Sequence, residues 1–149
     1  MIPKSLWENK IVVHFLDGRI MKGRTRDFFP NRGFFHLTPT PLLQEDHTPP
    51  VRIEIASLKA VFFVKDYKGN KYHKKVTGFE DFSEKTPAPH RIVVYFKDGE
   101  VLYGTTHSYG PKREGFFFYP IDPSDNNERV YVIQSAVKEV WFERSFKER

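Results

Sequence analysis

The chain of 149 residues contains no cysteine and no long apolar stretch. Without cysteine it forms neither disulfide bridges nor thiolate metal sites, which fits a reducing compartment. No apolar run approaches the roughly 20 residues that a membrane-spanning helix requires. Residues 1–10 also lack the apolar core of a secretory signal. We therefore expect a cytoplasmic protein that does not bind membranes.

The sequence also lacks the motifs of common catalytic and cofactor sites. It has no nucleophile elbow, phosphate-binding loop or dinucleotide fingerprint. Its six histidines share no zinc-type spacing with carboxylates. Asp17 and Asp98 are a repeated pair of carboxylates, but each precedes glycine, where aspartate stabilises a tight turn. We therefore predict a protein without enzymatic activity, metal or cofactor.

One hairpin pattern occurs twice in the chain. Residues 11–23 read IVVHFLDGRIMKG, and residues 92–104 read IVVYFKDGEVLYG. In each copy two apolar runs flank an Asp-Gly pair, Asp17-Gly18 or Asp98-Gly99, which tolerates the positive φ angles of a two-residue turn. The pattern indicates two β-hairpins produced by an internal duplication.

The duplication continues beyond the hairpins. The corresponding segments are 28–35 and 109–117, with one extra residue in the second copy so that His36 aligns with Phe118, then 51–55 and 130–134, then 58–63 and 137–142. Gly23 and Gly104 occupy the same point of each copy, where a strand of a small barrel bends sharply. Each repeat is therefore expected to contain five strands.

This organisation predicts an all-β protein built from two tandem five-stranded barrels of the Sm-like or SH3-like kind. We expect the first barrel to span residues 1–64 and the second to span 91–149. Residues 65–90 contain few aliphatic side chains and are interpreted as a linker. Each repeat is small for a domain that folds alone, so mutual support between the two is expected.

Two family resemblances accompany this pattern. The order of Asp-Gly hairpin, aromatic residue, polar turn and apolar strand resembles the first motif of the Sm-like barrel family. The matching positions are Asp17-Gly18, Phe28, Asn31 and 35–37 in the first copy, and Asp98-Gly99, Tyr109, Lys112 and 117–119 in the second. The stretch LKAVFFVKDYKGN resembles a bacterial family of unknown function whose members accompany signalling proteins, which would imply a regulatory interaction module.

The charge of the chain is positive and unevenly distributed. The formal net charge is +5, and the excess lies in the first repeat and the linker. Candidate residues for binding a polyanion are Arg24, Arg26, Arg32, Arg52, Lys65, Lys68, Lys71, Lys74 and Lys75. Lysines interleaved with tyrosines between residues 65 and 75 suit phosphate contacts and base stacking, although a solvated linker explains them as well. Binding of RNA or single-stranded nucleic acid is therefore an alternative function.

Aromatic residues make up 16% of the chain, more than two small cores need. Strand alternation places Val61 and Phe63 in the core and Phe62 and Val64 on the outside, where the other repeat or another subunit must cover them. The aromatic candidates for contact with a protein partner are Phe28, Phe29, Phe62, Tyr109 and Trp141. The primary hypothesis is therefore a non-catalytic interaction module with an unidentified protein partner, and a homo-oligomer is possible.

Overall fold

The computed structural model describes residues 8–40, 49–65 and 90–143. These residues form one ten-stranded antiparallel sheet with three single-turn 3₁₀ helices and no α-helix. The strands are β1 (Asn9–Phe15), β2 (Ile20–Thr25), β3 (Phe34–Pro39), β4 (Val51–Glu54), β5 (Leu58–Val64), β6 (His90–Phe96), β7 (Val101–Thr106), β8 (Gly115–Pro120), β9 (Asn127–Ile133) and β10 (Val137–Phe142). Across the described ranges, no helix has the length and apolar character needed to span a membrane.

The two repeats have the same strand order. The first is ordered β5-β1-β2-β3-β4 and the second β10-β6-β7-β8-β9. Gly23 pairs with Pro39 and Gly104 pairs with Pro120, so the repeats match through β8 without an inserted residue. His36 therefore corresponds to Phe117. The alignment of His36 with Phe118 was wrong by one position because a loop gap had been placed where the strands need none.

The all-β prediction is confirmed, but the two closed barrels are not observed. Within the described ranges, β4 pairs only with β3 and β10 pairs only with β6. The final strand of the first repeat, β5, instead pairs with β9 of the second repeat, from Ala60 opposite Val132 to Phe63 opposite Arg129. The strands therefore form a continuous open sheet, because β5 finds its second neighbour in the other repeat.

The junction between the repeats is buried on both faces of the sheet. Ala60, Phe62 and Val64 of β5 join the core of the second repeat, whereas Val61 and Phe63 join the core of the first. Strand β9 reciprocates, because its Tyr131 and Ile133 enter the first core while Val130 and Val132 remain in the second. The predicted outward pair on β5 is thus covered by the other repeat. A strand buried on both faces requires the unbroken apolar run that β5 contains.

Glycine shapes each repeat at two places. Gly18 and Gly99 have φ angles of 93° and 98°, in the left-handed region that glycine adopts without strain. The side chains of Asp17 and Asp98 each accept a hydrogen bond of 3.0 Å from the backbone N–H two residues later. These aspartates thus stabilise their hairpin turns. A Cβ atom added at Gly23 or Gly104 would overlap a backbone carbonyl oxygen of the adjacent strand.

A buried lysine links the repeats by charge. Lys59 of β5 is 8% exposed, and its Nζ lies 2.6 Å from Asp98 Oδ2 and 2.5 Å from Glu100 Oε1 in the hairpin of the second repeat. Burial on its own lowers the pKa of Lys59, but the hydrogen bonds to the two carboxylates outweigh it and raise that pKa above 10.5. Lys59 Nζ also lies 4.6 Å from the centre of the Phe96 ring. The duplicated position on β10 is the exposed Lys138.

We expect Lys59→Met to lower the free energy of unfolding by about 1–2 kcal/mol, because it leaves two carboxylates without their cation. Lys138→Met is the matched control and should change it by less than about 0.5 kcal/mol. The hydrogen bond from Lys59 is the largest cause that lowers the pKa of Asp98 below 3.8.

A carboxylate with a lowered pKa stabilises the fold above its ordinary pKa and loses that contribution as pH falls through its folded value. Urea titrations of both chains at several pH values should therefore show the difference between wild type and Lys59→Met shrinking below about pH 4. A difference that stays constant down to pH 2 would show that Lys59 acts through packing alone.

Candidate functional site: the free edge of strand β10

Strand β10 forms one end of the sheet. It pairs with β6 from Val137 opposite Phe96 to Phe142 opposite Ile92, and no strand of the described ranges pairs with its other edge. The duplicated strand β5 carries β9 on that same edge. The difference is visible at corresponding positions, because Phe62 is 5% exposed and Trp141 is 60% exposed.

An aromatic cluster lies beside this edge. Tyr109 contacts Phe116 at a centroid distance of 5.1 Å and Phe142 at 5.2 Å, both edge to face. Edge-to-face pairs at this distance are favourable because the positive ring edge meets the negative ring face. Tyr109, Phe116 and Phe142 are here termed the aromatic socket. Phe142 is 42% exposed, so the socket is open towards the free edge.

The first repeat contains the same cluster in filled form. Phe28 contacts Phe35 at 5.0 Å and Phe63 at 5.4 Å, again edge to face. There the second repeat completes the cluster, since Tyr131 and Phe117 approach Phe28 at 5.4 Å and 6.3 Å. The socket therefore has the geometry of the filled cluster, with His90 against Phe142 at 6.1 Å, but among the described residues no ring takes the places of Tyr131 and Phe117 beside Tyr109.

The opposite face of β10 carries charge. Its outward residues are Glu139, Trp141 and Glu143, where β5 has Ala60, Phe62 and Val64. Arg91 pairs with Glu143 at 3.0 Å, whereas no ion-pair partner of Glu139 lies in the described part of the chain. Trp141 packs against Tyr95 with ring centroids 6.5 Å apart. The edge thus combines an exposed indole with flanking carboxylates.

The other end of the sheet has a different character. Strand β4 presents Arg52 and Glu54, which form an ion pair of 2.5 Å, where β9 presents Tyr131 and Ile133. The Cζ atom of Arg52 lies 3.8 Å from the centre of the Phe34 ring. Both end strands carry charged side chains, which oppose pairing with another sheet, but only β10 also exposes two aromatic rings, Trp141 and Phe142.

Comparison with protein families places the whole tandem in one group. Residues 7–143 match the model of a family described as a family of unknown function, DUF6982. The chain belongs to this family. The match covers both repeats and the segment that joins them. Searches of curated proteins and of solved structures found no match.

The aromatic candidates predicted from the sequence separate into two groups in this DUF6982 protein. Phe62 is buried, and Phe28 is half-buried where it packs against the first core. Phe29 is 53% exposed next to the Pro30–Arg32 turn of the first repeat. Only Tyr109 and Trp141 belong to the same edge. The prediction did not include Phe142, because strand alternation places it with its core counterpart Phe63. It is exposed because no strand of the described ranges pairs with β10 on that side.

The basic candidates do not form a single uncompensated patch in the described ranges. Arg26 lies 3.4 Å from Glu8, Arg32 lies 3.9 Å from Asp27, and Arg52 pairs with Glu54. Arg24 is exposed on β2, and Lys65 Nζ donates a hydrogen bond of 2.8 Å to the carbonyl oxygen of Pro123. The remaining candidates, Lys68, Lys71, Lys74 and Lys75, lie outside the described residues.

Among the described residues of the DUF6982 protein, the close histidine–carboxylate pair of His36 and Asp27 has a structural explanation. His36 donates its backbone N–H to Asp27 Oδ1 at 2.9 Å, and its Nδ1 lies 2.8 Å from Asp27 Oδ2. Burial on its own raises the pKa of Asp27, but these hydrogen bonds outweigh it and lower that pKa. In the second repeat, Ser108 Oγ accepts a hydrogen bond from the Phe117 N–H at the same position. The shared role is to hold the strand after the turn.

Proposed function

We propose that this DUF6982 chain is a non-catalytic interaction module, with a regulatory role, that binds a protein partner along the free edge of β10. One observation carries the proposal. Strand β10 is the duplicate of β5, and β5 binds a neighbouring strand on this edge. The pairing of β5 with β9 within the chain is therefore a model for the pairing that we propose between β10 and a partner strand.

The chemistry of the edge supports binding by strand addition. In this mode main-chain hydrogen bonds provide affinity and alternate side chains provide specificity. Trp141 and Phe142 are 60% and 42% exposed on adjacent positions of the strand, and exposed aromatic residues are the usual anchors of protein interfaces. An exposed apolar edge also promotes aggregation unless it is covered. A partner strand would form hydrogen bonds with the backbone groups at the edge of β10 and would cover the exposed rings of Trp141 and Phe142.

Binding of RNA or single-stranded nucleic acid is the weaker candidate. Three of the four candidate arginines in the first repeat lie within 4 Å of a carboxylate, which reduces the local positive field that phosphates need. The lysine cluster that would supply most of the charge is in the segment between β5 and β6. No geometric feature of the described residues favours this function over protein binding.

Site-specific photo-crosslinking tests the proposal. We expect a photoreactive phenylalanine analogue at position 141 to crosslink a discrete partner in lysate, and the same analogue at position 119 to crosslink none. Tyr119 is the matched control because it is also an exposed aromatic, at 37%, but lies on the interior strand β8. With the purified partner, Trp141→Ala should weaken binding roughly 30-fold, equivalent to about 2 kcal/mol. Equal crosslinking at the two positions, or unchanged binding by the variant, would refute the proposal.

A further inference from the structure

We propose that the segment bound by β10 is an extended basic strand that places an aromatic side chain opposite Val140 and in the aromatic socket. This inference rests on the proposed function and specifies the partner chemistry. It follows from the register of the internal complex, the geometry of the socket and the charges that distinguish β10 from β5.

The register comes from the pairing of β5 with β9. Val61 lies opposite Tyr131, and Phe63 lies opposite Arg129. The counterparts of Val61 and Phe63 on β10 are Val140 and Phe142. A strand bound in the same way would run antiparallel to β10, with one side chain opposite Val140 and another opposite Phe142 on the socket face.

The internal complex shows which side chains suit those two places. Tyr131 packs edge to face against Phe28 at 5.4 Å, and the Cζ atom of Arg129 lies 4.3 Å from the centre of the Phe63 ring. Tyr109 and Phe142 keep nearly the same spacing as Phe28 and Phe63, 5.2 Å against 5.4 Å. An aromatic ring opposite Val140 would therefore reach Tyr109. An arginine opposite Phe142 would form a cation–π contact.

The other face of the bound strand must differ from β9. On that face the internal complex buries Val130 and Val132 with the apolar side chains of β5. On β10 the same face presents Glu139 and Glu143 around Trp141, and burying carboxylates against apolar side chains is costly. Glu143 is already paired with Arg91, so a lysine or arginine on this face would pair with Glu139 and contact the indole of Trp141. Charge complementarity thus selects a basic segment.

A second copy of the chain is a poor occupant when it offers its edge strand β4. Its exposed edge strand β4 would place Arg52 and Glu54 where Tyr131 and Ile133 lie in the internal complex. Glu54 would then bring a carboxylate to a place where the internal complex buries an isoleucine that is 3% exposed. Pro50, which would lie opposite Phe142, also has no N–H to donate to β10. These features disfavour β4 of a second copy as the source of the strand.

Peptide binding to the full chain tests the inference. The probes are labelled heptapeptides derived from β9, residues 127–133 (NERVYVI), and the same peptide with Val130→Lys and Val132→Lys. By fluorescence anisotropy we expect the basic peptide to bind at least about 10-fold more tightly than the parent peptide, through the added charge pairs. Tyr131→Ala within the basic peptide should weaken binding about 10-fold. Since only the peptide changes, the fold of the protein is not at risk.

A protein variant checks the location of binding. Glu139→Lys on the exposed face of β10 should abolish the preference for the basic peptide, and Glu128→Lys, an exposed carboxylate on β9 away from the free edge, should retain it. Absence of peptide binding, equal binding of the two peptides, or insensitivity to Tyr131→Ala overturns the inference. Trp141-dependent dimerisation in sedimentation would also overturn it by identifying a second copy as the occupant. Crosslinking at position 141 remains an independent test, so failure with peptides is distinguishable from failure of the proposed function.

Discussion

Replacing Phe62 by alanine is expected to lower the free energy of unfolding by about 3–5 kcal/mol, because it leaves a cavity in a packed core. Phe62 is 5% exposed and lies in the second core although it belongs to the first repeat. Its ring also lies 4.6 Å from the His14 ring. The substitution therefore removes contacts on both sides of the repeat junction.

The duplication supplies a matched control for this experiment. Trp141 occupies the same position on β10 and is 60% exposed, so Trp141→Ala should cost less than about 1 kcal/mol. Urea denaturation followed by far-ultraviolet circular dichroism measures both values, and an unchanged m value would show that the unfolding transition remains comparable. Similar losses for the two variants would mean that the repeats do not share a core through β5.

Replacing Gly104 by alanine is expected to cost about 3 kcal/mol, at the upper end of overpacking effects. The added Cβ would overlap the backbone carbonyl oxygen of Tyr119 and contact the ring of Phe118. A backbone oxygen within a strand cannot rotate away as a side chain does, so β7 and β8 must separate. We expect the thermal midpoint to fall by about 6–12 °C, given roughly 2–4 °C per kcal/mol for a chain of this size.

Gly110→Ala is the control for the glycine experiment. The closest atom to a Cβ at Gly110 is Cγ of Arg113, at 3.2 Å, and that flexible side chain can move aside. Differential scanning calorimetry should therefore show a midpoint within about 2 °C of wild type. A Gly104→Ala midpoint equal to that of Gly110→Ala would show that the close strand approach is absent in solution.

Local pattern was sufficient for the strands and turns. The hairpins at Asp17-Gly18 and Asp98-Gly99 follow from short-range rules, because turn conformation and strand alternation depend on neighbouring residues. The apolar run of β5 also indicated that Phe62 and Val64 need a cover. The same rules placed an extra residue in the second copy and aligned His36 with Phe118 instead of Phe117, since a loop alignment by residue type has no hydrogen-bond register to constrain it.

Local pattern was not sufficient for the closure of the sheet or for the site. A closed barrel and an open sheet use the same strands in each repeat and differ only in which strand completes the edge of β5. Strand β5 can pair with β4 of its own repeat or with β9 of the other. Strand β9 places the apolar Tyr131 and Ile133 beside β5, whereas β4 would place the charged Arg52 and Glu54 there. Comparing β9 with β4 as partners of β5 requires the three-dimensional arrangement of the strands, which local sequence pattern does not give.

The amino-acid pattern of this DUF6982 chain established a duplicated all-β protein, because Asp-Gly turns and alternating apolar residues act over a few positions. The tertiary structure decided that β5 and β9 join the repeats and that no strand of the described ranges pairs with the outer edge of β10. The physical reason is long-range pairing. Strand β9 covers Phe62 on β5 and makes it a core residue, whereas the corresponding Trp141 on β10 lies at the surface. Identical positions in the repeat thereby acquired opposite roles, one in stability and one in the proposed binding of a partner.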